Sequence, residues 1–226
     1  MNSGRHAPLL LAASLATFAW SLGVSATPIV IDDFNTNVAV INNNVAPNTV
    51  TGFTGDSGIG MVGDRTIDLS VLTGGGTNTA SAIVENGLLS LSNSVTTNSF
   101  VTVSWDFLSL DLTDGGSNTG LFFNLPAPID NDLTIGFALN GGATATQFFP
   151  DGSTGTNLFI DFDDFVNGVD ADEATSLEVS FSSDDPAWDA GFNFIEANTD
   201  VPVPATFSLI ALGLLGIGVS RRKRAG

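Results

Sequence analysis

Val101-Thr102-Val103-Ser104-Trp105-Asp106-Phe107 carries an apolar side chain at each odd position and a polar one at each even position. Successive side chains of an extended chain point to opposite faces. That period of two therefore puts Val101, Val103, Trp105 and Phe107 in a core and Thr102, Ser104 and Asp106 in water. Leu177, Val179 and Phe181 alternate with Glu178, Ser180 and Ser182 in the same way. Working outward, the same reading predicts strands over residues 29–34, 65–72, 81–84, 88–92, 121–125, 133–139, 157–162 and 191–196. Gly74-Gly75-Gly76, Asp114-Gly115-Gly116, Asn140-Gly141-Gly142 and Asp151-Gly152 separate them, and these residues tolerate the positive φ that turns require. Asn86-Gly87 between Glu85 and Leu88 predicts a hairpin closed by a type I′ turn. Residues 170–175 are expected to form at most one helical turn. Short strands joined by Gly and Asn turns, with no sustained 3.6-residue pattern, predict an all-β domain over residues 27–200, a β-sandwich or jelly roll.

Charge is distributed unevenly. All 24 acids lie between residues 27 and 200, where Arg65 is the lone cation, so this segment carries a net charge of about −23. Such a charge repels phosphate backbones and excludes nucleic acid as a partner. Arg65 is expected to pair with Asp64, Asp68 or another acid. With no Cys in the chain, disulfides and thiolate chemistry are excluded.

The two ends read differently from the middle. Residues 1–26 hold Arg5 and His6, an apolar run, and then Val24-Ser25-Ala26. This is the order of a secretory signal helix cut by signal peptidase, here after Ala26; the alternative is a retained anchor. Residues 201–226 open with Val201-Pro202-Val203-Pro204-Ala205 and continue uncharged to Ser220. They then carry Arg221, Arg222, Lys223 and Arg224. The uncharged stretch over 205–220 is about 24 Å long as a helix, and counting from Val201 gives about 30 Å, enough to span a bilayer. The cations would stay cytoplasmic and the acidic domain would face outward.

Pro-x-Pro, a Leu- and Gly-rich apolar run and a terminal Arg cluster together resemble the PEP-CTERM sorting signal of exosortase substrates in Gram-negative bacteria. Val201, Pro202, Pro204 and Ala205 match its V-P-x-P-A variant, with Val203 between them. The resemblance implies export, transient anchoring through a C-terminal transmembrane helix, removal of the tail by an exosortase-like enzyme, and release to the cell surface or an exopolysaccharide matrix. An ordinary single-pass anchor is the alternative. Separately, Ile31-Asp32-Asp33-Phe34 and Gly191-Phe192-Asn193-Phe194-Ile195-Glu196 resemble the opening and closing strands of jelly-roll carbohydrate-binding modules. That resemblance implies a structural calcium near the chain ends, with Asp32, Asp33 and Glu196 as ligands.

Residue types limit the chemistry. Residues 27–200 lack His, Cys, Lys and Tyr, so Ser-His-Asp triads, thiol nucleophiles, Schiff-base lysines and His-bound zinc are excluded there. A glycosidase with two carboxylates remains as the enzymatic alternative. Asp161, Asp163, Asp164, Asp170, Asp172 and Glu173 form the densest acidic stretch. It reads either as oxygen ligands for calcium or as a solvated edge that discourages strand aggregation. Trp188, between Asp185-Pro186-Ala187 and Asp189, is expected in a loop, exposed for stacking on a sugar, whereas Trp105 faces the core. The expectation is an exported, non-catalytic surface or matrix protein that binds polysaccharide and calcium. A purely structural component that binds no sugar and assembles edge to edge is the remaining rival.

Overall fold

Alternation fixes most of the strands. The computed structural model describes residues 27–56, 61–74, 79–153, 157–166 and 170–199; the expected signal helix (1–26) and membrane helix (201–226) lie outside them. In chain order the strands are β1 (Ile29–Asp32), β2 (Val38–Asn42), β3 (Asn48–Thr54), β4 (Asp64–Thr73), β5 (Ala80–Glu85), β6 (Leu88–Asn93) and β7 (Asn98–Leu110). Then follow β8 (Gly120–Asn124), β9 (Leu133–Leu139), β10 (Ala143–Phe149), β11 (Asn157–Asp161), β12 (Ala174–Ser182), β13 (Ala190–Phe192) and β14 (Ile195–Asn198). Helical structure among the described residues is confined to the 3-10 turns Phe162–Asp164 and Ala171–Glu173. No described helix is long and apolar enough to cross a membrane.

One layer is a six-stranded antiparallel sheet in the order β10-β9-β12-β7-β4-β3; facing it are two four-stranded sheets, β1-β14-β8-β11 and β13-β6-β5-β2. Aromatic packing shows how they meet. Phe123 of β8 lies 5.2 Å from Phe137 of β9 and 6.1 Å from Phe192 of β13, and Phe192 lies 4.8 Å from Phe181 of β12. Both smaller sheets thus pack on the same face of the large one. The fold is the expected all-β sandwich. Its core takes the inward half of each alternation: Val101, Val103, Trp105, Leu177, Val179 and Phe181 are all buried.

Three strands escaped the sequence reading: β2, β3 and β10. The strand predicted over 191–196 is two strands, broken at Asn193-Phe194 where the chain crosses from one small sheet to the other. The Asn86-Gly87 hairpin forms as expected, with φ of 53° and 79° and Glu85 paired to Leu88. β1 pairs antiparallel with β14, Ile29 opposite Ala197, so both ends of the domain lie together.

Candidate functional site

The outward half of the alternation builds a continuous surface on the six-stranded sheet. Register aligns Thr146, Gly136, Ser180, Thr102, Asp68 and Thr51 in one row across the strands. A second row holds Thr144, Ala138, Glu178, Ser104, Thr66 and Phe53, and a third Phe148, Thr134, Ser182, Phe100, Ser70 and Thr49. Eleven of these eighteen positions are Ser or Thr and none is Lys or Arg, so the face is hydroxyl-lined. Each hydroxyl donates and accepts, as sugar hydroxyls do, at a strand spacing of about 4.8 Å. At two corners stand the exposed rings of Phe53 (65%) and Phe148 (58%), each able to cover an apolar sugar face. At the β3 edge, Thr49 Oγ1 lies 2.7 Å from Ser70 Oγ, and Thr51 Oγ1 donates to Asp68 Oδ1 at 2.5 Å. The sequence reading passed over this face. Its signal was the excess of Ser and Thr at the polar positions of β7 and β12, where only Asp106 and Glu178 are charged.

Beside this face, Asp64 of β4 stands opposite Asp106 of β7. They line a groove of about 460 Å³ with Asp56, Gly63 and Leu108. The amide of Asp56 donates to Asp64 Oδ1 at 2.8 Å. Both acids are exposed.

Asp32 faces the opposite way, into the core, where the resemblance to carbohydrate-binding modules had implied a calcium ligand. Its Oδ2 accepts from Arg65 Nη1 at 2.5 Å and from Trp105 Nε1 at 2.9 Å, and its Oδ1 from the Phe34 amide at 2.8 Å. Arg65 also donates to the Thr36 carbonyl and lies 5.9 Å from the centre of the Phe34 ring. Neither side chain of the ion pair is solvent-accessible. Burial raises the Asp32 carboxyl above the usual carboxylate range, while the Arg65 charge, the indole N–H and the Phe34 amide pull it back. A carboxylate so occupied is not free to ligate a cation. Asp33 accepts from Asn35, at 3.0 Å from its amide and 2.8 Å from its side chain, and Glu196 accepts from Asn198 at 3.0 Å. The three acids therefore serve three local structures.

Trp188 corrects the expectation of exposure. It is fully buried, its Nε1 donating to Asn98 Oδ1 at 3.2 Å and to the Ser99 carbonyl at 3.3 Å. Asn93 holds the same loop, donating Nδ2 to the Trp188 carbonyl and its amide to Asp189 Oδ1, each at 2.8 Å.

The acidic stretch divides into local roles. Asp161 caps the first 3-10 turn, accepting from the Asp163 amide at 2.9 Å, and Asp164 lines a groove beside β10. Asp170 is raised above the ordinary range by a hydrogen bond and like charge from Asp172, with Glu173 adding to the effect. Among the described residues no group of three or more acids is placed to hold a metal ion.

No curated protein matches this chain in sequence. Among solved structures it is similar to the family 11 carbohydrate-binding module of Clostridium thermocellum in complex with a β-1,3-1,4-mixed-linked tetrasaccharide. That match has 12% identity and a TM-score of 0.41, covering 76% of this chain and 96% of that one. It is also similar to part of an agarase, with 8% identity and a TM-score of 0.42, covering 76% of this chain and 24% of that one. Likeness at this level transfers neither ligand nor binding residues. The sorting residues Val201, Pro202, Val203, Pro204 and Ala205 and the cations Arg221, Arg222, Lys223 and Arg224 lie outside the described structure. Residues 200–224 match the PEP-CTERM protein-sorting motif, which implies export and a membrane-anchored intermediate before processing by an exosortase-type enzyme.

Proposed function

We propose that this exported protein, once its tail is removed, holds a polysaccharide at the cell surface or in the surrounding matrix without cleaving it. The observation that carries the reading is the hydroxyl-lined outer face of the six-stranded sheet, flanked by exposed Phe53 and Phe148. A face with Asp68 and Glu178 but no cation favours a neutral glycan over a polyanionic one.

Geometry argues against hydrolysis. Asp68 and Glu178 stand two strands apart on the face, with Thr102 and Ser180 between them. Thr51 also draws the Asp68 carboxylate toward β3, away from Glu178. Asp64 and Asp106 are closer neighbours, but both are exposed in like surroundings, while an acid/base pair works in unlike ones.

Affinity electrophoresis of the processed protein in gels containing the producing cells' polysaccharide tests the reading. Retardation is expected, and Thr66→Val, Ser180→Ala and Phe148→Ala should each weaken it several-fold. Running the gels with calcium and with a chelator shows whether the acidic stretch over 161–173 contributes to retardation. Release of reducing ends that disappears in Asp64→Asn or Asp106→Asn would replace this reading with the glycosidase.

A further inference from the structure

The ends of the six-stranded sheet lead beyond glycan binding. Its strands are all antiparallel and even in number, so the edge strands β10 and β3 run in opposite directions. A second copy in the same orientation would therefore set its β3 against β10 and continue the antiparallel alternation. Both edges are seven residues long, Ala-Thr-Ala-Thr-Gln-Phe-Phe and Asn-Thr-Val-Thr-Gly-Phe-Thr. Neither contains a charge or a proline, the usual guards of an exposed edge. In a domain of about −23 these are the places where a second copy can approach with least repulsion.

On the β10 edge the Val166 amide donates to the Thr144 carbonyl at 2.9 Å. Thr146 and Phe148 share the parity of Thr144, whose carbonyl points away from β9, so their backbone groups face outward too. Asn42 Nδ2 bridges the Asn48 and Leu69 carbonyls, of β3 and β4, at 3.0 and 2.9 Å; both carbonyls thus lie between those strands, and the backbone groups of Thr49, Thr51 and Phe53 are the ones that face outward.

We propose that the processed protein assembles head to tail with copies of itself, β10 of one pairing with β3 of the next, into an open-ended filament. One register keeps outward residues outward and uses the whole open edge, running from Ala145 opposite Thr54 to Phe149 opposite Val50. It sets Phe148 and Phe53, both exposed on the same face, at diagonal positions within reach of each other. A two-fold contact ends at a dimer, whereas this heterologous contact leaves one β10 edge and one β3 edge open at the two ends of every oligomer, so assembly runs on. Asp164 is the one carboxylate lining the groove beside β10, so ionic strength should favour assembly.

Sedimentation velocity of the processed protein from low to high salt is the test. Species growing past the dimer are expected as salt rises. Phe148→Glu and Phe53→Glu alter exposed side chains at opposite edges; each variant alone should stay monomeric. Their equimolar mixture should stop at a dimer of twice the monomer mass, since each supplies the edge the other lacks. The chain has no native Cys, so a variant carrying both Thr146→Cys and Phe53→Cys should form a disulfide ladder on oxidation. Wild-type protein that remains monomeric at all salt concentrations overturns the proposal, as does Phe53→Glu protein that still dimerises, the mark of two-fold β10 pairing. Retardation of the wild-type protein in polysaccharide gels is a separate readout, so failure here is distinguishable from failure of the glycan reading.

Discussion

Replacing Arg65 by Met should destabilise the domain by about 3–5 kcal/mol, the usual effect of stranding one member of a buried ion pair. The structure places this case at the severe end. Asp32 and Arg65 are both inaccessible to solvent, and without the guanidinium the carboxylate retains only the Trp105 indole and the Phe34 amide as donors. For a domain of this size the loss corresponds to a fall of roughly 6–20 °C in Tm, or about 1.5–2.5 M in urea midpoint at a slope of about 2 kcal/mol per molar. Urea denaturation followed by tryptophan fluorescence reads it, because Trp105 donates to the same carboxylate. The double variant Asp32→Leu/Arg65→Met buries no charge and should recover much of the loss. The pH dependence has a definite sign. Burial raises the Asp32 carboxyl, so the folded state binds its proton more tightly than the unfolded chain. The group's contribution therefore favours the fold at low pH and declines as pH rises from the ordinary carboxylate range through the raised value. With Arg65 gone the carboxyl rises further, so the deficit of the single variant should shrink from pH 7 toward pH 4.5. A loss below about 1 kcal/mol, or single-variant losses that simply add in the double variant, would refute the account of this pair.

Trp188→Ala should lower stability by about 3–5 kcal/mol in the same denaturation assay, while Trp188→Phe should leave glycan retardation unchanged. Asp170 should titrate above the ordinary carboxylate range in carboxyl-detected NMR, and Asp172→Asn should bring it down by removing the like charge. An Asp170 titration left unchanged in that variant would contradict this origin of the shift. Because the shift is upward, this cluster favours the folded loop below that titration and opposes it above. Gly87→Ala, at φ 79°, should destabilise the hairpin by about 1–2 kcal/mol, read as a lower urea midpoint.

Legibility followed the alternation and failed where it inverts. β9, β12 and residues 101–107 of β7 keep apolar residues inward and were readable. β3 turns Gly52 inward and leaves Phe53 outside, and β2 exposes Ile41 while burying Asn42. β10 offers few large apolar residues on its inner side. All three lie at or next to sheet edges, where one flank faces water and selection for burial is weak. The partner of Arg65 was half legible. Asp64 and Asp68, one and three positions away, point to the opposite face of β4 by the same period of two, leaving a distant acid to meet the inward guanidinium. Nothing local announced Asp32, because the contact spans 33 residues. Trp188 misled because its neighbours Asp185, Pro186 and Asp189 form a polar loop, yet Asn93 and Asn98 fold that loop inward. The hydroxyl-lined face needed register, which only the folded sheets supply.

Since Ile29 lies opposite Ala197, an N-terminal leader and a C-terminal tether would leave the body at neighbouring points. Handing the protein from the first hold to the second calls for no somersault. The same hemisphere would stay nearest the lipid throughout, and severing the last attachment would free a particle whose far hemisphere had already been facing its surroundings.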